Sequence, residues 1–390
     1  MAICAALGLL VTGCGGGGGH GRAAAAKPSV QVSIAPADRS TATAPDKGIT
    51  VTAVRGRLTK VVARSGGAAV EGKFNPARTV WHSRWALDVS RHYTVTATAA
   101  GRSGAPVTRT SAFRTFTPKR TVDATVIEGK DETYGVGMPI ILYFDRPIAR
   151  KKAVEQALQI RTSRRVVGAW YWDNQCRVGR FCLYFRPRRY WPAHTRVSFT
   201  AHLNGVEVAP GVYGHHTLSQ RFSIGSSLIT KVSTSGHFME VYRGGKLFAH
   251  WPISSGKPGD DTPNGTYLTI EKANPVQMTG PGYSISVPYS VRITWSGNYL
   301  HDAYWSVGAQ GFSNVSHGCV NMSPEHARIY YGMAVPGDPV KITGSPRAGT
   351  WDNGWTMWFL SWKKWVRGSA LHRAVVAGRR GSRFVSVHRH

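Results

Sequence analysis

The chain has 390 residues, and its 49 Lys and Arg outnumber its 20 Asp and Glu to give a formal net charge of +29. This length allows two to four domains, and a hydrophobic fraction of 42% excludes a disordered chain. The positive charge favours a polyanionic neighbour such as nucleic acid, anionic lipid or an acidic cell-surface polymer, but charge alone does not choose among them.

The N-terminal segment is an apolar run, AICAALGLLV, that is too short to span a bilayer as a helix. The small residues just before Cys14 resemble the lipobox of bacterial lipoproteins, in which the chain is cut before the cysteine and the thiol carries lipid. No Lys or Arg precedes the run, so we expect the natural start to lie upstream; a non-lipidated signal is the alternative. We therefore predict a signal over 1–14 and an exported protein anchored through Cys14 to the outer face of the membrane.

Five cysteines fall into three groups along the chain. Cys4 and Cys14 lie in the predicted signal, and Cys176 and Cys182 are close enough to form a disulfide that closes a short loop. Cys319 is left without a partner. An odd thiol in an exported protein is a candidate reactive group.

Two β-sandwiches are predicted after a flexible linker over 15–46, which is rich in Gly, Ala, Thr and Pro. Short alternating runs separated by Gly, Ser and Pro fill 47–120, and a similar pair of runs recurs within 121–225. Neither region holds a cluster of chemically useful residues, which indicates that both serve as spacers.

A third unit, 226–345, begins with a predicted hairpin whose turn is Gly244–Gly245. Its one predicted helix starts at the N-cap Ser323 with Pro324 at the first helical position. The remaining segment, 346–390, is rich in Trp and ends in a basic tail. Trp358, Trp362 and Trp365 have helical spacing, so we expect a helix that packs on the third unit, with disorder after about residue 376.

The motif SHGCVN, 316–321, is the strongest candidate for chemistry. A thiol needs a base to become a nucleophile, and both His301 and His317 are near Cys319 in the sequence. His317 would lie on the same side as Cys319 if the stretch were extended. The N–H groups of Gly318 and Cys319 can face an oxyanion, and Asn321 can fix the turn by side-chain hydrogen bonds.

Two other interpretations of this motif compete with a nucleophile. Cys319 can be a buried structural residue, or zinc can bind His301, His317, Cys319 and His326. The spacing matches none of the usual zinc patterns, which disfavours zinc.

The stretch from His301 to Asn321 resembles the signature of the YkuD-type L,D-transpeptidases, in which His, a loop and Ser/Thr-His-Gly-Cys follow in that order. The whole chain resembles the actinobacterial, mycobacterial-like lipoprotein members. The implied fold is mainly β: two tandem immunoglobulin-like β-sandwiches, a YkuD-type catalytic domain with one short helix, and a Trp-rich C-terminal segment.

The resemblance implies a role for each matching residue. Cys319 attacks the third residue of a peptidoglycan tetrapeptide stem, releases D-Ala and passes the acyl group to a neighbouring stem in a 3→3 cross-link. His301 is the base, oriented by the carbonyl of Asp302, where the relatives carry Ser; the Asp302 carboxylate can also raise the pKa of His301. The catalytic shell consists of Ser316, His317, Gly318, Asn321 and Asp302, and the substrate-binding residues are Tyr283, in a lid, and Trp305.

This chemistry requires no cofactor and no metal, because a thiol, an imidazole and backbone donors suffice for acyl transfer. The expected partners are peptidoglycan stem peptides, anionic membrane or wall polymers, and carbapenem β-lactams as inhibitors, with no nucleic acid. Two alternatives are a thiol L,D-carboxypeptidase, in which water resolves the thioester, and a non-catalytic wall-binding lipoprotein.

Overall fold

The computed structural model describes residues 30–101, 105–174, 176, 181–280 and 283–386. These residues form three β units and a C-terminal segment, which confirms the predicted mainly β fold. In this part of the chain, no helix has the length and apolar character needed to cross a membrane. The predicted signal, with Cys14, lies outside the described residues.

The first sandwich consists of two four-stranded sheets, ordered β1-β2-β6-β5 and β4-β3-β7-β8. Its strands are β1 (Gln31–Ala35), β2 (Thr50–Val54), β3 (Arg57–Ser65), β4 (Ala68–Ala69), β5 (Gly72–Phe74), β6 (Val80–Ser83), β7 (His92–Ala100) and β8 (Val107–Arg114). The predicted linker over 15–46 therefore extends too far, because β1 pairs with β2 along its whole length. Val32 and Ile34 alternate along β1 and pack against the core, which ties this segment to the domain.

The second sandwich combines a large mixed sheet with a three-stranded sheet, β17-β18-β9. Its elements are β9 (Arg120–Val122), β10 (Ala124–Val126), β11 (Thr133–Tyr134), β12 (Ile140–Phe144), α1 (Lys151–Gln156), β13 (Leu158–Thr162), β14 (Val166–Asp173), β15 (Phe181–Pro187), β16 (Arg196–Ala201), β17 (Glu207–Ala209), β18 (Val212–Gly214) and β19 (Leu218–Ile224). Cys176 and Cys182 form the predicted disulfide. Cys319 is the free cysteine of the described residues.

The third unit packs a five-stranded sheet, β22-β21-β20-β30-β23, with a four-stranded sheet, β24-β27-β28-β29, and a separate hairpin, β25-β26. Its elements are β20 (Leu228–Ser233), β21 (Phe238–Arg243), β22 (Lys246–Pro252), β23 (Gly265–Leu268), β24 (Glu271–Ala273), β25 (Val276–Gly280), β26 (Tyr283–Val287), β27 (Ser290–Arg292), β28 (Tyr299–Asp302), β29 (Val320–Met322), α2 (Pro324–Met333) and β30 (Pro339–Thr343).

Two local predictions for this unit are confirmed. Gly244 and Gly245 join β21 to β22 with φ of 59° and 82°, a backbone region that favours glycine. Ser323 caps α2, and its hydroxyl accepts a hydrogen bond from the backbone N–H of His326.

The Trp-rich segment packs on both the second sandwich and the third unit, whereas only the third unit was predicted. On the third unit, the ring of Trp355 lies 6.2 Å from that of Trp295, and the ring of Phe359 lies 5.1 Å from that of Tyr267, between ring centres. Trp358 lies in a 3-10 helix, Met357–Phe359, separate from α3 (Trp362–Arg367). The buried guanidinium of Arg186, on β15, lies 4.4 Å from the ring centre of Trp358 and 4.6 Å from that of Trp365. Arg186 also donates to the carbonyl of Leu360, so the tryptophans surround a cation that belongs to the sandwich.

The predicted disorder after about residue 376 is also wrong. β31 (Ala374–Gly378) and β32 (Gly381–Val385) form a hairpin, and β31 lies between β14 and β13 in the large sheet of the second sandwich. The apolar run of β31 is buried there, which accounts for its order. The C-terminus thus completes a domain that begins more than two hundred residues earlier.

A buried carboxylate anchors the C-terminal segment to the second sandwich. Glu155 of α1 accepts hydrogen bonds from Trp172 Nε1 at 2.8 Å, Ser369 Oγ at 2.7 Å and Ala370 N at 2.6 Å. Because Glu155 is fully buried, these donors take the place of water around its two oxygens. The second sandwich and the C-terminal segment are therefore one packed unit.

Candidate active site

Cys319 lies at the end of the loop that leads into β29. This strand pairs in parallel with β28, in a register that places Leu300 beside Val320 and His301 beside Asn321. Adjacent strands are about 4.8 Å apart, so the register brings Cys319 and His301 to neighbouring strands of one sheet. The half-buried Cys319 donates its S–H to the carbonyl of Gly297, at 3.7 Å.

His301 is oriented by a backbone carbonyl, as predicted. Its Nδ1 lies 2.6 Å from the carbonyl oxygen of Asp302, and the residue is only 3% exposed. A carbonyl accepts hydrogen bonds and never donates them, so Nδ1 carries the proton and the Nε2 lone pair is available as a base. Asp302 thus acts through its main chain, which makes the departure from Ser compatible with the site.

Burial keeps both reacting groups neutral. It lowers the pKa of His301 to about 4, a change that the hydrogen bond to Asp302 only partly opposes. The expectation that the Asp302 carboxylate raises this pKa is therefore wrong. Burial also raises the pKa of the Cys319 thiol to about 11, against the smaller opposite effect of a hydrogen bond from the Tyr299 backbone. At neutral pH the pair consists of a thiol and an uncharged imidazole.

Ser316 and Gly318 shape the loop around the thiol. Ser316 Oγ donates to the carbonyl of Cys319 at 2.7 Å and accepts from the Gly318 N–H at 3.1 Å. Gly318 has φ of 113°, and a Cβ there would lie 2.7 Å from Asn298 Nδ2. Glycine is required on both counts. Because the Gly318 N–H is already engaged, the two-donor oxyanion site expected from the sequence is reduced to the N–H of Cys319.

His317 does not share the environment of Cys319. The loop bends at Gly318, so the stretch is not extended as the alternation argument required. His317 is exposed, its Nε2 lies 3.2 Å from Lys257 Nζ, and its ring stacks on Tyr283 with centres 5.1 Å apart. The side chain of His317 thus contacts Lys257 and Tyr283, which favours His301 as the base.

The side chain of Asn321 does not fix the turn, which was the prediction, but makes a contact with another segment. Its Nδ2 donates to Ser306 Oγ at 3.0 Å, and its main chain exchanges two hydrogen bonds with Ser254. Ser306 belongs to the 3-10 helix Tyr304–Ala309, which begins three residues after His301. Asn321 therefore ties the nucleophile strand to the segment after the base.

Tyr283 and Trp305 each lie beside one of the two histidines of the signature, Tyr283 beside His317 and Trp305 beside His301. Tyr283 begins the second strand of the β25-β26 hairpin, hereafter the lid, and is 37% exposed. Trp305 is 46% exposed, and its ring centre lies 6.0 Å from that of His301. Exposed aromatic faces next to a nucleophile are suited to hold a substrate chain.

The four residues of the zinc alternative are not brought together. His326 lies on α2 and stacks on Trp251, with ring centres 4.8 Å apart. In the described part of the chain, the three-residue group with metal-ligating atoms close together is Asp123, His215 and His216, in the second sandwich. The structure therefore gives no support to the zinc alternative for Cys319.

Comparison with known proteins identifies the family. The L,D-transpeptidase catalytic domain model (YkuD) matches residues 228–342, which include His301 and Cys319. L,D-transpeptidase 5 of Mycobacterium tuberculosis is 35% identical over 346 residues, which cover 86% of this chain and 76% of that protein. The chain belongs to the L,D-transpeptidase family. It is an acyltransferase that cross-links peptidoglycan.

Other similarities extend over both the transpeptidase domain and the sandwiches. L,D-transpeptidase 2 of M. tuberculosis is 32% identical, with 85% of this chain and 83% of that protein covered. The solved structure of the transpeptidase LdtMt1 in complex with imipenem is 34% identical, covers 58% of this chain and 100% of that chain, and has a TM-score of 0.48. A bacterial Ig domain model matches residues 40–207, within the two sandwiches.

Sequence reasoning missed the residues that hold the nucleophile loop from behind. Asn298 Nδ2 and Thr262 Oγ1 both donate to the carbonyl of Gly318, at 2.8 Å and 3.0 Å. Thr294 Oγ1 in turn donates to Asn298 Oδ1 at 2.8 Å. Their only sequence signal is that each lies in a turn-rich stretch, so their roles follow from the fold.

Proposed function

We propose that this transpeptidase transfers the acyl group of a tetrapeptide stem to a neighbouring stem through a thioester on Cys319. The observation that supports this most is geometric: Nδ1 of the buried His301 is bound to the carbonyl of Asp302, and the register of β28 with β29 brings this ring to the strand next to Cys319. In this pair the only free basic nitrogen is Nε2 of His301. It is therefore the acceptor for the thiol proton.

In the first half-reaction, the Cys319 proton moves to His301 Nε2 while sulfur bonds to the carbonyl carbon of the third stem residue. Collapse of the tetrahedral intermediate breaks the bond to D-Ala, whose nitrogen takes the proton back from His301. The thioester remains, and His301 is neutral again. Proton and charge both balance without any other group.

In the second half-reaction, an amine of the acceptor stem gives a proton to His301 as its nitrogen bonds to the thioester carbon. The carbon–sulfur bond breaks, and sulfur recovers the proton. The new amide is a 3→3 cross-link. During both steps the Cys319 N–H donates to the oxyanion, and Tyr283 and Trp305 hold the stem peptide.

Incubation with tetrapeptide muropeptides, followed by mass spectrometry of the products, tests this function. We expect dimers that have lost one D-Ala for each bond formed. Monomeric tripeptides without dimers, at any acceptor concentration, would instead establish a carboxypeptidase. If a cooperatively folded enzyme forms neither dimers nor tripeptides, the wall-binding alternative is favoured.

We also propose that carbapenems acylate Cys319. A strained lactam carbonyl is open to the same thiol attack, and the 34% identical enzyme named above was solved with imipenem. Incubation with imipenem should add the mass of the drug to the peptide that contains Cys319. Addition to other peptides alone would count against the assignment.

Export and lipid anchoring through Cys14 form a further proposal, which rests on the apolar run and the small residues before this cysteine. Peptidoglycan lies outside the membrane, so an enzyme that acts on it needs such a route, and the positive charge suits anionic membrane or wall polymers. Metabolic labelling with a fatty-acid analogue should mark the protein, and Cys14→Ser should remove the label. A wild-type chain without label would support a plain secretory signal.

A further inference from the structure

An open groove of about 780 Å³ lies on the outer face of the second sandwich, far in sequence from the catalytic motif. It is lined by Arg161 of β13, Arg196 of β16, Arg221 of β19 and Arg379 of the C-terminal hairpin, with Asp131 as the one acidic residue. We call this feature the arginine groove. Its composition sets it apart, because four cations face one carboxylate.

The strand register places these cations on one face. Arg161 pairs with Ser198, and Ser198 pairs with Arg221, so the three residues form one row across three strands. Arg196 lies two residues before Ser198 and so points to the same side. Val197, between them, is buried in the core on the opposite side. The sheet thus presents a polar, cationic face to solvent.

Most of this charge is not neutralised within the protein. Arg221 lies 3.6 Å from Asp131. For Arg161, Arg196 and Arg379, no carboxylate of the described residues lies within ion-pair distance. Like charges gathered in a recess repel one another, so their grouping raises the local potential and favours an anionic occupant.

The C-terminal hairpin closes one end of the groove. Gly378 of β31 pairs with Arg161, which brings the next residue, Arg379, beside the row. The Arg379 Nε donates to the carbonyl of Ser163 at 3.5 Å. The groove is therefore complete only when the C-terminus is inserted in the sheet, and this gives the basic tail a use beyond packing.

Spacing and shape point to the class of occupant. Arg161 and Arg221 are two strands apart, about 10 Å, and Arg196 is displaced by about 7 Å along its strand. The exposed cations stand in a row across three strands, an arrangement that a flexible chain with regularly spaced charges can follow from one guanidinium to the next. A phosphodiester offers one charge and two free oxygens, which suit the guanidinium fork.

We propose that the arginine groove binds a linear phosphodiester polymer of the cell envelope. The bound polymer holds the enzyme in place while Cys319 reacts with stem peptides. This rests on the proposed export. Because binding is measured apart from cross-linking, failure of one proposal is distinguishable from failure of the other.

The test compares two charge-matched triple variants with the full wild-type chain. Arg161→Gln, Arg196→Gln and Arg379→Gln remove the groove charge. Arg57→Gln, Arg109→Gln and Arg114→Gln remove three exposed arginines of the first sandwich and serve as the control. Net charge falls by three in both, so a difference between them reports position and not total charge.

Binding to purified poly(glycerol phosphate) is measured by calorimetry at several salt concentrations, with dextran as the neutral polymer. The groove variant should lose at least about tenfold in affinity, and its log–log salt slope should fall by about two, for three lost contacts. The control should stay within about twofold of wild type, and dextran should not bind. Cross-linking of small muropeptides by both variants should match wild type, which checks the fold.

Two results would overturn the proposal. Equal losses in the groove and control variants would mean that only net charge matters. Vesicles of phosphatidylglycerol and phosphatidylcholine that bind the wild type more tightly than the polymer does, and whose binding the groove variant alone loses, would make the groove a membrane contact.

Discussion

The alkylation rate of Cys319 by iodoacetamide should rise about tenfold with each pH unit from pH 7 to pH 10. Only the thiolate reacts, and a pKa of about 11 leaves a thiolate fraction of about 10⁻⁴ at pH 7. A free cysteine with a pKa near 8.5 has a fraction of about 0.03, so the site is slower by a factor of about 300 at this pH. The rate rises with pH because burial favours the neutral thiol over the thiolate and so raises the pKa of Cys319.

Peptide mass spectrometry after timed alkylation measures the rate at Cys319 separately from other cysteines. The same chain in denaturant is the matched control, and there the profile should level off above about pH 9, as for an ordinary thiol. Restricted access lowers the rate at every pH but does not change the shape of the profile. A plateau between pH 5 and pH 8 in the folded enzyme would refute the uncharged pair, because it indicates a preformed thiolate–imidazolium.

Substitutions at three positions test the roles of single residues. His301→Gln should lower the cross-linking rate by about 10²–10⁴-fold with an unchanged melting temperature, whereas a near-normal rate would remove His301 as the base. Gly318→Ala should abolish cross-linking in a folded protein, since the new Cβ meets Asn298 at 2.7 Å; full activity would show that the loop tolerates another backbone shape. Glu155→Ala should cost about 3–5 kcal/mol in denaturant unfolding and expose the C-terminal hairpin to protease, and Glu155→Gln should cost less because one acceptor oxygen remains. Equal stability of both Glu155 variants and wild type would remove this carboxylate as the anchor of the C-terminus.

Features decided by neighbouring residues could be predicted from the sequence. The Gly244–Gly245 turn, the Ser323 cap and the Cys176–Cys182 disulfide each depend on a few adjacent positions and on local backbone chemistry. The His301 and Cys319 pair was found by its spacing and by resemblance to a family. The neutral state of the pair was not, because burial depends on the packed fold.

Features decided by distant segments were missed. The run AVVAG, 374–378, lies next to a Gly–Arg–Arg–Gly turn, and its basic surroundings suggested disorder, yet β14 and β13 supply partners for its backbone. The packing of the C-terminal segment on the second sandwich also explains why Trp358 and Trp365 surround Arg186. Local periodicity identifies an apolar face and not the partner that covers it.

The contacts between domains also revise the idea of a simple spacer. The backbone N–H groups of Gly135 and Gly137, in the second sandwich, donate to the carbonyls of Pro336 and Gly337 in the transpeptidase domain. A chain that begins near Ser226 would lose these contacts and expose Trp358 and Trp365. The second sandwich therefore supports the catalytic domain directly and is not only a spacer.

The central claim is that Cys319 carries the acyl group, and trapping the acyl-enzyme tests it most directly. Wild-type enzyme is mixed with tetrapeptide muropeptide without an acceptor, quenched in acid and digested, and released D-Ala is counted. We expect a stem adduct on the peptide that contains Cys319, one D-Ala released for each adduct, and neither in Cys319→Ala. Release of D-Ala at the wild-type rate by Cys319→Ala, or an adduct on any other residue, would contradict the account.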